Sequence, residues 1–235
     1  MPASALNIAG LAAVFAMALA AHAHAATADG HDAFSGVWMI EHPVTAVKAV
    51  DSHDPPLLPE ARKVYESHLA ARRAGDTSYD SVSWCAGAGV PRLMFAPYPF
   101  ELLVQPRRVA FLYQWNHWAR TVDMAAKQLD VPYPISIGIA VGHWEGATLI
   151  IETTGLRDST LLDSAGLPHS DEMKLTERLR LLGPDRLEDR ITIDDAKTFS
   201  RPWRTAVTYR RKPEGAVIKE DVCLDRIKKG EPAIR

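Results

Sequence analysis

From Arg92 onward, apolar and polar residues alternate with a period of two, and Pro, Gly or Asp turns interrupt the alternation at short intervals. That pattern predicts strands in "RLMFA", "FELLVQ", "RVAFLYQW", "HWARTVDM", "GHW", "TLIIETT", "MKLTERLRLL", "RLEDRITI" and "WRTAVTYRR". "SGVWMIE", ahead of Pro55, Pro56 and Pro59, predicts a first strand. "PEARKVYESHLAARRAG" is the one helical pattern: Pro59 suits a first turn, Ala61, Val64, Tyr65, His68 and Leu69 share a face, and Gly75 suits the end. Many short antiparallel strands with one helix imply an all-β fold and favour a closed or nearly closed β-barrel, covered at one end by that helix, over the alternative of a sandwich.

Strand alternation also decides which polar residues face inward. In "MKLTERLRLL" the apolar positions Met173, Leu175, Leu179 and Leu181 are interrupted by Glu177. In "RLEDRITI" the set Leu187, Ile191 and Ile193 is interrupted by Asp189. The turn "LGPDR" sets Leu179 opposite Asp189 and Glu177 opposite Ile191, which makes the two carboxyls diagonal neighbours at roughly 7–8 Å. Two buried carboxyls that close raise the pKa of at least one, which suits a general acid or base near neutral pH. Arg120 faces inward if the chain turns at Asn116 and His117, and the alternative role for Glu177 is a structural ion pair with it. Arg178 and Arg190 point outward on the same count.

The remaining site candidates follow from the aromatic positions. Phe111, Tyr113 and Trp115 alternate together, as do Trp203, Thr205, Val207 and Tyr209. Tyr113, His117 and Arg120 are expected to orient a substrate or stabilise an oxyanion beside Glu177 or Asp189. Phe111, Trp115, Trp203 and Tyr209 are expected to form binding walls, although a plain aromatic core fits the same spacing. His169, in the long connection from Gly155 to Ser170, is either a site wall or a residue that hydrogen-bonds local backbone.

Composition narrows the function classes. The 235-residue chain has a formal charge of −2, and no basic stripe supports a nucleic-acid partner. Residues 1–25 hold no charged side chain and end in "AHAHA", a secretory signal pattern that puts the mature start near His24 or Ala26 and implies a periplasmic or secreted protein. No segment is long enough to span a membrane. Residues 26–235 then form one domain. In an oxidising compartment Cys85 and Cys223 are expected to pair, and neither has metal-ligand spacing. Phosphate loops, dinucleotide fingerprints and nucleophile elbows are lacking, so no cofactor or metal is expected.

"GVPRLMFAPYPFELL", "RVAFLYQWNHWAR", "VGHWEGATLIIETTGL", "LDSAGLPHSDEMKLTERLR" and "ITIDDAKTFSRPW", in this order, resemble a large, mostly uncharacterised family of exported bacterial proteins. Its usual forms are close to "GVPR", "YEWNHxxR", "GHSVGRWEGDTLVVDTTGF", "PHSE" and "TIDDPKxFTRPW". The resemblance implies a lipocalin-like barrel and no particular reaction. Ile139, His143 and Ala147 stand where that pattern has His, Arg and Asp. Three functions follow as expectations: cofactor-free acid/base chemistry (lyase, elimination or isomerisation) on an apolar or aromatic molecule, a carrier of such a molecule, and a cell-envelope interaction protein with a plain core. Oligomeric state and substrate identity are not readable from the sequence.

Overall fold

A computed structural model describes residues 30–127 and 131–234. The leader expected at residues 1–25 lies outside the described residues. Nine strands form a closed barrel: β1 (Gly36–Ile40), β2 (Phe100–Gln105), β3 (Arg108–Tyr113), β4 (Ala119–Asp123), β5 (Ile139–Glu145), β6 (Thr148–Thr154), β7 (Lys174–Gly183), β8 (Arg186–Asp194) and β9 (Trp203–Arg211). β9 closes the ring antiparallel to β1. Strand directions cannot alternate all the way round an odd ring, so one neighbouring pair has to be parallel. That pair is β4–β5, joined by the long connection over residues 124–138. At this seam Gly142 is a steric requirement, because a Cβ there would meet Val122 Cγ1 at 2.8 Å and Met124 Sδ at 2.9 Å.

The sequence register holds. Leu179 pairs with Asp189 and Glu177 with Ile191. One end of the barrel is made of tight turns after Gln105, Glu145 and Gly183. At the other, where β3 ends and β4 begins, the long β1–β2, β6–β7 and β8–β9 connections gather, and the 124–138 connection runs to it from the tight-turn end. Helix α1 (Pro59–Arg73) belongs to this capped end. It half-buries Ala61, Tyr65, His68 and Leu69 but leaves Val64 exposed. It rests on the 155–170 loop rather than on the barrel: His68 Nδ1 bonds the Gly166 carbonyl oxygen at 2.7 Å, and Arg72 donates to the Ser164 carbonyl.

"RLMFA" is not a strand. Arg92–Phe95 forms a single helical turn, α2, with all four residues buried. A short run enclosed on every side carries no alternation to separate strand from helix. α2 plugs the barrel mouth, and its Met94 carbonyl accepts a hydrogen bond from the Tyr209 hydroxyl at 3.1 Å. Gly89, just before it, has φ +78°, and a Cβ there would lie 2.7 Å from Thr160 Oγ1. A third helix, α3 (Cys223–Lys228), lies in the C-terminal tail, and Cys85 and Cys223 are disulfide-bonded as expected.

Candidate functional site

The inward residues of β3, β4, β6, β7 and β8 build a polar cluster at mid-barrel. Arg120, opposite Phe111 on β3, makes a two-point contact with Glu177: Nη1 donates to Oε1 at 2.9 Å, and Nη2 donates to Oε2. Nη2 also donates to Thr153 Oγ1 at 2.7 Å, and the guanidinium lies 5.5 Å from the Phe111 ring centroid. Arg120, Glu177 and Asp189 are at most 1% exposed. The structural ion pair is therefore formed, and Glu177 is fully engaged by it.

Asp189 differs. Its carboxyl is held well above the ordinary range, first by burial and then by the negative charge of Glu177. Asp189 Oδ1 has no partner among the described residues. Burial would lower the pKa of Arg120, but the charge and hydrogen bonds of Glu177 outweigh it and raise the value. Tyr113, against the guanidinium, is pushed up chiefly by burial. With Asp189 protonated, the cluster holds one cation and one anion in a low-dielectric interior, a balanced arrangement.

Other candidates go elsewhere. His117 is exposed and does not join the cluster. The chain leaves β3 through left-handed Asn116 (φ 49°) and His117 (φ 53°), which reverses direction and throws the ring outward. There His117 Nε2 accepts from Asp221 N–H at 3.2 Å. Trp115 is buried but lies past the end of β3, donating to the Ala233 carbonyl at 2.8 Å, so it is not a wall of the interior. Phe111, Tyr113, Trp203 and Tyr209 do face inward, and Phe100 bridges Phe111, Tyr113 and Tyr209 at 5.0–5.8 Å. Trp203 Nε1 is buried with no partner among the described residues. His169 takes the local alternative: Nδ1 donates to the Ser170 carbonyl at 2.8 Å and Nε2 faces the Thr160 hydroxyl at 2.8 Å. Burial lowers its pKa.

Sequence reasoning missed Thr153, although its alternation with Leu149 and Ile151 already marks it as inward. It also missed Met94 as the partner of Tyr209, for which no signal existed. Ile139 and His143 lie on the outer side of β5, away from the cluster.

An open cleft of about 620 Å³ lies at the capped end between residues 131–134 and 171–174 and is lined by none of the cluster residues. Among the described residues no helix is long and apolar enough to cross a membrane, and no His, Cys, Asp and Glu grouping could hold a metal ion.

Comparison with protein-family models and with curated proteins returns no match. Among solved structures, the chain is similar to apo lipid binding protein 8 of Caenorhabditis elegans, at 11% identity and TM-score 0.37, covering 77% of this chain and 96% of that one. It is also similar to a mutant of the fluorescent protein UnaG, at 11% identity and TM-score 0.34, covering 77% of this chain and 98% of that one.

Proposed function

We propose that this is an exported barrel protein whose interior takes up a small, uncharged apolar or aromatic molecule, and that Asp189 performs cofactor-free acid/base chemistry on it. The observation that carries this reading is the buried, unpartnered Asp189 Oδ1 beside an ion pair that leaves Glu177 no freedom to act as a base. A carboxyl kept protonated by its surroundings donates a proton near neutral pH and takes one back when the reaction completes. Tyr113 and Arg120 stand beside it to stabilise negative charge developing on the substrate.

Charge count sets the ligand class. Arg120 is already neutralised by Glu177, so an entering anion would bring an uncompensated charge into the interior, whereas a neutral hydroxyl or amine meets Asp189 Oδ1 as a partner. The enclosure of the cluster favours a second reading, a carrier that holds the same compound without changing it. In either case the cap has to move for entry.

One measurement tests the charge argument common to both readings, and a second separates them. Nile red, uncharged and apolar, is expected to brighten on binding, and cis-parinaric acid, an anion, is not. Preferential binding of the anion would sink the charge argument. Neutral aromatic alcohols and ethers incubated with the protein and followed by mass spectrometry test chemistry: turnover lost in Asp189→Asn supports the enzyme. Turnover that survives the substitution rules out Asp189, and binding without turnover of any compound supports the carrier.

A further inference from the structure

Four consecutive side chains in "QWNH" converge on one segment, and the mechanism uses none of them. Gln114 Oε1 accepts from Lys219 N–H at 3.0 Å, Trp115 Nε1 donates to the Ala233 carbonyl at 2.8 Å, Asn116 Oδ1 accepts from Cys223 N–H at 3.2 Å, and His117 Nε2 accepts from Asp221 N–H. All four of these side chains bond its backbone, and the Asn116 N–H also donates to Asp221 Oδ2 at 3.4 Å. Arg226, itself buried, pulls the same segment together through Asp221 and the Pro232 and Ala233 carbonyls.

The disulfide links this strap to a second element. Cys85 opens the segment that enters the barrel mouth, in which Ala88, Val90 and Arg92–Phe95 are buried and Met94 bonds Tyr209. Mouth plug, disulfide, tail strap and the β3–β4 connection thus form one chain of attachments. The plug meets the interior through main-chain and apolar contacts, and Arg92 is anchored outside it by paired bonds to Asp80 at 2.7 and 2.8 Å. Trp84 and Leu224, the sequence neighbours of the two cysteines, are 57% and 55% exposed. Cys85 is half-buried and Cys223 fully enclosed, so a thiolate reaches the bond from the Cys85 side.

From this geometry we infer that the Cys85–Cys223 bond is a redox lock on the mouth plug, released by a dithiol. A dithiol thiolate attacks Cys85 Sγ, and Cys223 Sγ leaves as a thiolate and takes up a proton. The second thiol of the reagent then displaces Cys85, leaving two protein thiols and an oxidised cyclic disulfide of the reagent. With the bond open, the tail stays on the "QWNH" clamp while residues 86–96 are free to withdraw from the mouth. As a route to Asp189, the release rests on the interior-binding reading above, but the lock itself is tested separately.

The test is amide hydrogen exchange on the full chain, oxidised and after reduction with dithiothreitol, alongside the Cys85→Ser/Cys223→Ser double variant. Reduction is expected to speed exchange of residues 86–96 by about tenfold or more while β7 and β8 stay protected. The double variant should reproduce this without reductant. Gln114→Ala, which loosens the clamp with the bond intact, should leave the plug protected. Unchanged exchange at 86–96, equal loss of protection in β7 and β8, or a Gln114→Ala plug as loose as the reduced one each overturns the lock. Nile red uptake is read in the same samples: a released plug with no uptake leaves the lock standing and removes the interior-binding reading instead.

Discussion

Glu177 and Asp189 are both buried carboxyls, yet their substitutions should behave in opposite ways. Glu177→Gln keeps the shape but leaves the Arg120 guanidinium facing a neutral amide, and loss of one partner of a buried ion pair costs about 3–5 kcal/mol. Urea denaturation checks it, and a change under about 1 kcal/mol would show that the pair contributes little. Asp189→Asn removes an acid whose charged form the fold disfavours, first through burial and then through Glu177. Its folded pKa is raised, so the unfolded chain ionises first. Stability is therefore unpenalised below the unfolded value of about 3.9 and is progressively lost as pH rises toward the folded value. The difference in urea midpoint between Asp189→Asn and the parent should widen in favour of the variant as pH is raised from about 4 toward neutrality. A pH-independent difference would mean that Asp189 titrates normally in the fold. This pair was legible in the sequence because two carboxyls interrupt otherwise apolar alternations and a short turn fixes their register. Their unequal roles were not, since those depend on Arg120 and Thr153 from other strands.

Elements differ in how far local pattern could find them. Strands with one buried face announce themselves by period two, and β7, β8 and β9 lie where the alternation puts them. α2 is enclosed all round and offers no period. His117 was misplaced because left-handed backbone at Asn116 and His117 ends the strand parity that carried Phe111 and Tyr113 inward, and its partner Asp221 is 104 residues away. The plug's hold on the mouth should be measurable: Met94→Ala removes a fully enclosed side chain and should cost about 2–5 kcal/mol in denaturant unfolding. At the parallel seam, Gly142→Ala should destabilise by about 1–3 kcal/mol, because Val122 and Met124 leave no room for a methyl group. A neutral result at Gly142 would mean that β4 and β5 separate readily.

At the scale of the whole molecule, the disulfide spans 138 residues of sequence. A bond closing so long a loop stabilises by about 3–5 kcal/mol through the unfolded chain, so the double serine variant should show a lowered melting temperature by calorimetry even where its barrel is intact. A closed or nearly closed barrel was foreseen from the strand count and turn spacing, but the strands that close it were not, because pairing of β1 with β9 joins the two ends of the strand sequence.

The odd ring has a consequence for the order of assembly. With one parallel neighbour pair, the barrel divides into a β5–β9 meander of consecutive antiparallel neighbours and a β1–β4 group. They are joined along β9–β1 and along β4–β5, where only two residue pairs are in register, against nine for β7–β8. The β5–β6 and β7–β8 hairpins close over turns of about two residues, whereas the β9–β1 join brings together the two ends of the strand sequence at greater entropic cost. Folding should therefore begin in β7–β8 and finish by docking the two groups, which brings Arg120 from β4 to the already paired Glu177 and Asp189. On this order the carboxyls meet before their cation arrives and Asp189 loses its water only on docking; because burial disfavours its charged form, the docking rate should fall as pH rises and the undocked carboxyl ionises.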